Sequence, residues 1–222
     1  MNILAIDTST AYCSVTVFIG KDQSFSETKY LPRKHNEYIL LMIDELIIQS
    51  RIQKHEINLL AYGVGPGSFV GVRISAAVMQ AMALSLDCPI IGFSSMQAIA
   101  MTAYHQFKAT SVSVIIDARM SEIYFGQYHW NENFQTMVFE EELCLKIVKC
   151  KEYILQRNLG FIIGDVIKGI DLKFNAIKYY PNTQLLLSLI KYQYDQSKQN
   201  NMFHDIVQPV YLQGTSQWKK LQ

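Results

Sequence analysis

Residues Leu59 to Leu86 read LLAYGVGPGSFVGVRISAAVMQAMALSL, and this stretch decides the fold. Leu59 to Val64 is an apolar run with the length and branched content of a buried strand. It ends in Gly63-Val64-Gly65-Pro66-Gly67-Ser68, where glycines permit backbone conformations that other residues resist. A helix-compatible segment opens near Gly71 and continues to about Leu86. A strand, a glycine-rich turn and a helix N-terminus form the geometry by which nucleotide-binding folds offer N–H groups to phosphate. The same glycines also end buried strands for structural reasons alone. At about 100° per residue, the polar side chains of the helix, Arg73, Ser75, Gln80 and Ser85, do not gather on one face. Gly71, Ala76, Ala77, Ala81 and Ala83 are small enough for other backbones to approach. A helix that is apolar all round is buried on more than one side. It is sandwiched either inside its own domain or between its own sheet and a partner chain.

The preceding segment carries the same message. Asn36 to Ser50 is predicted as a helix with Asn36 as its cap. Ile39, Leu40, Ile43, Leu46 and Ile47 form the expected core stripe. Tyr38, Leu41, Met42 and Ile48 fall on the other side among Glu37, Asp44, Glu45 and Gln49, a pattern that fits a partner surface. Isolated exposed apolar residues are common, so the reading draws weight from the second greasy helix beside it.

Composition narrows the class. A chain of 222 residues buries a real core in one or two domains. A net charge of +1 with 18% charged residues gives no electrostatic footprint for unaided nucleic-acid binding. Cys13, Cys88, Cys144 and Cys150 sit singly, which argues against a disulfide scaffold or zinc site and fits a reducing cytoplasm. Asp7 interrupts the first apolar stretch, so no signal peptide is expected, and no apolar run reads as long enough to span a membrane. His35, His55, His105, His129 and His204 are mutually isolated, and no metal site is predicted.

Ile3 to Ile6, Cys13 to Ile19 and Ser24 to Tyr30 are predicted as an antiparallel meander. Asp7-Thr8-Ser9 at the first turn has the form of the phosphate loop of actin-like ATPases and sugar kinases, with Ser9 where a glycine is usual. The alternative is that these side chains only satisfy turn N–H groups. Pro89 to Phe93 reads as a strand and Ser95 to about Tyr104 as a helix, with a lobe boundary over 107–110. Val112 to Ile116, Glu122 to Trp130 and Thr136 to Glu140 then restart the strand pattern, with Asp117-Ala118-Arg119 at the turn. A helix over Leu143 to Arg157, a strand over Leu159 to Ile163 ending in Gly164-Asp165, and a helix over Thr183 to Tyr194 come next. Residues 197–201 read as a polar loop, and Lys219-Lys220 as a basic tail. The second half therefore repeats the first in pattern. The expectation is an α/β, two-lobed actin-like, ribonuclease-H-like fold with duplicated mixed sheets flanked by helices. Its lobes divide as 1–108 and 109–222, the last segment packing back on the first lobe.

Ile3 to Ser9, His35 ahead of its helix, Gly65-Pro66-Gly67-Ser68-Phe69 through Gly71-Val72-Arg73-Ile74, Asp117-Ala118-Arg119 with Glu122-Ile123-Tyr124, and Pro209-Val210-Tyr211-Leu212 together resemble the TsaB (YeaZ) family. Val70 replaces the family's usual Thr, and Gln213 a frequent Arg. The resemblance implies a non-catalytic member of the actin-like ATPase fold. Such a subunit pairs with its catalytic paralogue TsaD and works with the ATPase TsaE. The complex transfers threonylcarbamoyl from threonylcarbamoyl-AMP to N6 of adenosine 37 in tRNAs reading ANN codons. It also implies a homodimer when the partner is missing, indirect contact with tRNA, and no membrane. No tightly bound cofactor is implied, but ATP or ADP at the heterodimer seam is. TsaD keeps an HxxxH metal motif, whereas here Ile39 stands four residues after His35. The partner surface expected from the two helices comprises Tyr38, Leu41, Met42, Ile48, Arg73, Ala76, Ala77, Gln80 and Leu84. Remnants of a nucleotide loop are expected at Asp7, Thr8, Ser9, Gly65, Gly67 and Ser68. The competing reading is an autonomous enzyme of the same fold. A kinase would use Asp7 and Asp117 as carboxylates. A peptidase would need Ser68 activated by a histidine that only folding could bring close. A plain nucleotide-binding homodimer is a third possibility.

Overall fold

The computed structural model describes residues 1–199, 208–210 and 212. Strands β1 (Ile3–Asp7), β2 (Tyr12–Ile19) and β3 (Gln23–Tyr30) form the antiparallel meander. Helix α1 (His35–Ser50) crosses to β4 (Leu59–Gly63), parallel to β1, and α2 (Phe69–Leu86) crosses to β5 (Ile90–Phe93). The order is β3-β2-β1-β4-β5. Helix α3 (Ser95–Phe107) leads to a second sheet of β6 (Ser111–Arg119), β7 (Glu122–Asn131), β8 (Thr136–Lys146) and β9 (Phe161–Gly164), ordered β8-β7-β6-β9. Helix α4 (Ile147–Leu155) precedes β9, and α5 (Leu187–Gln199) comes after it. Each half thus runs an antiparallel meander, a helix and a parallel strand beside its first strand.

Strand alternation sorts the core into layers, because successive side chains face opposite ways. Ile3 and Ala5 on β1 face inward with Val112, Val114 and Ile116 on β6, and α3 and α5 fill the space between. Leu4 and Ile6 face the other way, onto α1 and α2. Ile115, Ile123 and Phe125 face Cys150 and Ile154 of α4. The sequence of layers is α1/α2, first sheet, α3/α5, second sheet, α4.

The packing crosses the division between residues 108 and 109. Thr183 Oγ1 hydrogen-bonds the hydroxyls of Ser14 (2.9 Å) and Thr16 (2.7 Å) on β2. Val210 N donates to the Val64 carbonyl at 2.8 Å, and Leu212 lies in the central core. Residues beyond the second sheet therefore return to the first.

Several expectations change. Lys34, not Asn36, precedes the first turn of α1 and makes no side-chain cap. Helix α2 starts two residues earlier than Gly71, with Ser68 Oγ accepting from Gly71 N at 3.2 Å as its cap. Leu143 to Lys146 belongs to β8 rather than to a helix, because these residues pair with Glu122 to Phe125 along the full length of β7. The segment from Thr183 splits into a short 3-10 turn, Thr183–Leu185, and α5, which takes in Ser197 to Gln199. The remainder of that predicted loop, Tyr211, Gln213, His204 and Lys219-Lys220 lie outside the described residues. Starting at Phe69, α2 is long and apolar enough by length and composition to cross a membrane, contrary to the sequence reading. Its inner side nevertheless packs Val72, Ser75, Ala76 and Met79 into the fold.

Candidate partner-docking face

Helices α1 and α2 lie side by side on the outer face of the first sheet. The inner stripe of α1 is His35, Ile39, Met42, Ile43, Leu46, Ile47 and Ser50. Met42 is therefore a core residue, 1% exposed, and Leu40, predicted inside, is 56% exposed. His35 and Ser50 set the stripe's centre: the His35 ring meets the Tyr12 carbonyl through Nε2 at 3.2 Å, and Ser50 Oγ donates to Ile47 O. Centring the stripe on them brings Met42 in and turns Leu40 out. Ala76 of α2 is likewise buried against the sheet. Neither Met42 nor Ala76 presents its side chain to a partner.

The other expected surface residues point outward or lie at the edge. Tyr38, Leu41 and Ile48 are exposed on α1, and Arg73, Ala77 and Leu84 on α2, with Gln80 half-buried. Leu84 is 88% exposed and Ile48 75%. The Arg73 guanidinium lies 3.3 Å over the Phe69 ring and donates to the Phe69 carbonyl at 2.9 Å. Between the helices runs a groove of about 530 Å³, walled mainly by Leu40, Ala77, Val78, Ala81, Met82 and Leu86. The expected partner surface left out Leu40, assigned to the core stripe, and Ala81, noted only as a small residue that another backbone could approach. Their signal was the row of small residues at Ala77 and Ala81, one turn apart, which opens the groove floor.

The turn that resembles a phosphate loop is brought together and closed. Asp7 Oδ1 accepts from Ser9 N (2.8 Å) and Ser9 Oγ (2.7 Å), and Oδ2 accepts from Ser95 Oγ (2.7 Å). Burial pushes the Asp7 carboxyl up to about 6, against the pull of these hydrogen bonds. Thr8 Oγ1 donates to the Gly71 carbonyl at 2.7 Å, and Ser68 N donates to the Ser9 carbonyl at 2.7 Å. A Cβ on Gly71 would lie 1.9 Å from the Thr8 carbonyl oxygen, and one on Gly67 2.5 Å from that of Ser9. Glycine is required at both places because another backbone occupies the space. Gly65 accepts from Ser95 N at 2.9 Å. Asp7, Thr8, Ser9, Gly65, Gly67 and Ser68 therefore staple β1 to α2 and α3.

Among the described residues, no group of three or more His, Cys, Asp or Glu is placed to hold a metal. Ser68 Oγ is occupied as a helix cap, and the His35 ring is turned to a backbone carbonyl. His129 meets Glu140 at 2.7 Å on the surface. No described histidine hydrogen-bonds a serine or threonine hydroxyl or a cysteine thiol, so no nucleophile–base pair is assembled among the described residues.

Comparison with known proteins agrees with this architecture. The family model for TsaD, tRNA N6-adenosine threonylcarbamoyltransferase, matches residues 29–158. The Escherichia coli protein named tRNA threonylcarbamoyladenosine biosynthesis protein TsaB is 34% identical over 231 residues, covering 100% of this chain and 98% of that one. The chain belongs to the TsaB family. The Haemophilus influenzae TsaB is 30% identical, covering 100% of this chain and 97% of its own. A Pseudomonas aeruginosa crystal structure, described as an uncharacterized protein with similarity to peptidase YeaZ, superposes with a TM-score of 0.81. It shares 28% identity and covers 96% of this chain and 99% of its own. The TsaD match places the two sheets in the actin-like class and makes this chain a paralogue of TsaD.

Proposed function

We propose that the chain is a non-catalytic subunit of the cytoplasmic machinery that makes threonylcarbamoyladenosine at position 37 of tRNAs reading ANN codons. It docks TsaD through the outer face of α1 and α2, works alongside TsaE, and pairs with itself when TsaD is missing. The observation that carries this reading is the groove between α1 and α2, walled in part by Leu40, together with the exposed Leu41 and Ile48 on α1 and Leu84 on α2. Burying such side chains contributes about 1.5–3 kcal/mol each. Four of them offset much of the roughly 4–15 kcal/mol that association costs. The groove receives the knobs of a second helix pair, and Ala77 and Ala81 allow close approach.

Absence of catalysis is supported by the side chains a reaction would need. Asp7 is held by three hydrogen bonds, Ser68 caps a helix and His35 faces a carbonyl. ATP or ADP binds, on this reading, at the seam with TsaD rather than tightly to this chain, and tRNA is gripped mainly by the other subunits. Reconstituted TsaD and TsaE should modify tRNA only when this chain is added, and Leu41→Glu should abolish that support. Substrate turnover by the isolated chain, lost on Asp7→Ala, would instead establish the enzyme reading.

A further inference from the structure

Helix α3 begins with two adjacent serines that reach opposite ways. Ser95 Oγ donates to Asp7 Oδ2 at 2.7 Å, at the end of β1 in the first sheet. Ser94 Oγ donates to Glu142 Oε1, on β8 of the second sheet, while accepting from Gln97 N at 3.2 Å as the helix cap. Tyr128 Oη donates to the same Glu142 oxygen at 2.6 Å. Asp7 is 1% exposed and Glu142 6%. Gly126 stands opposite Glu142 in the β7–β8 register. Its missing side chain makes the room: a Cβ there would lie 2.5 Å from Tyr128 Oη and 2.9 Å from Met96 Cε.

We infer that the first turn of α3 is a proton-responsive clasp between the two sheets, its grip set by two buried carboxyls, one from each sheet. Among the described residues, no cation hydrogen-bonds or ion-pairs with either carboxyl. The groups that face Asp7 are Ser9 of its own turn, Ser95 of α3 and the thiol of Cys13 on β2, which burial pushes up to about 12 and so keeps neutral. Those that face Glu142 are Ser94 and Tyr128, whose phenol is held well above its ordinary value by burial and by Glu142. Burial pushes Glu142 up to about 7, as it pushes Asp7 up to about 6. Between the ordinary carboxyl range and about pH 6, both carboxyls therefore hold protons in the fold that the unfolded chain has released. The clasp is strongest below the ordinary carboxyl range and weakens as pH rises through about 4 to 7, when two charges must be carried without counterions.

The test is thermal unfolding of the full chain from pH 5 to 8.5, for the wild type, Asp7→Asn, Glu142→Gln and the double variant. The unfolding constant of the wild type should rise at least about tenfold per carboxyl across that range. Each isosteric variant should remove its share of the slope, and the double variant most of it. Hydrogen exchange at the Gln97 amide should accelerate with pH beyond its intrinsic rate in the wild type only. Ser94→Ala, which deletes a hydrogen bond that lowers the Glu142 value, should move the midpoint of the pH response upward. A double variant that keeps the wild-type slope, or an unmoved midpoint in Ser94→Ala, overturns the clasp.

Discussion

The two halves of the molecule make the same turn and then treat it differently. In the first, Asp7 Oδ1 accepts from the amide two residues on, at 2.8 Å, and in the second Asp117 Oδ1 does the same with Arg119 N at 2.8 Å. Asp7 is then sealed by the N-terminus of α2 and the start of α3. The Asp117 turn stays open: Arg119, Met120 and Ser121 all take left-handed backbone angles, and Met120 is 90% exposed. The difference lies in the chain just beyond each parallel strand. β4 leads through the short glycine turn over 64–68 into α2, whereas β9 runs into irregular chain, with Asp165 Oδ2 accepting from Asp117 N at 2.9 Å as the local closure. A helix covers the first turn, and its outer face leaves Leu84 and Ala77 exposed. The two like units thus differ: the first has its turn stapled under a helix, and the second leaves its turn open.

The largest expected effect separates the two sides of α1. Met42→Ala should destabilise the fold by about 2–5 kcal/mol in denaturant titrations, while Leu40→Ala, two residues away, should stay within about 0.5 kcal/mol. Equal costs would erase the distinction between inner stripe and docking face. Next comes the pair of turns. Asp7→Ala strands the Ser9 and Ser95 donors in a buried site and should cost about 2–4 kcal/mol, whereas Asp117→Ala at the open turn should cost under about 1 kcal/mol. The smallest effect sharpens the picture at the base of α1. Burial holds His35 below its ordinary value, opposed by hydrogen bonds to backbone carbonyls. Its folded-state value lies under that of the unfolded chain, so its contribution is present above about pH 6.5 and lost as pH falls below it. The stability gap between wild type and His35→Gln should therefore shift against the wild type in acid. A gap independent of pH would show that His35 does not titrate on unfolding.

Much of this was legible in the residues. The strand, glycine turn and helix over Leu59 to Leu86 announce themselves because length, periodicity and glycine position agree. Asp7 and Asp117, each at the first turn of a matched meander, exposed the duplication. Other features had no local signal. The sides of Met42 and Leu40 depend on where His35 and Ser50 anchor α1, which is set by Tyr12, more than twenty residues earlier. Glu142 closes the run Glu140-Glu141-Glu142, which reads as solvated, and a register shift between Gln127 and Tyr128 on β7 turns only the third glutamate inward. The return of Thr183 to Ser14 and Thr16 spans most of the chain. Its one trace is a pair of hydroxyls alternating with Cys13, Val15 and Val17 on a buried strand.

On the proposed function, TsaD covers the outer face of α1 and α2. Titrating purified TsaD with the wild type and with Ala77→Glu, which places a charge on the groove wall without touching the core, tests it most directly. The wild type should form a stable heterodimer, and the variant should bind at least about a hundredfold more weakly with its melting temperature unchanged. A folded Ala77→Glu chain that binds TsaD as tightly as the wild type would contradict the account.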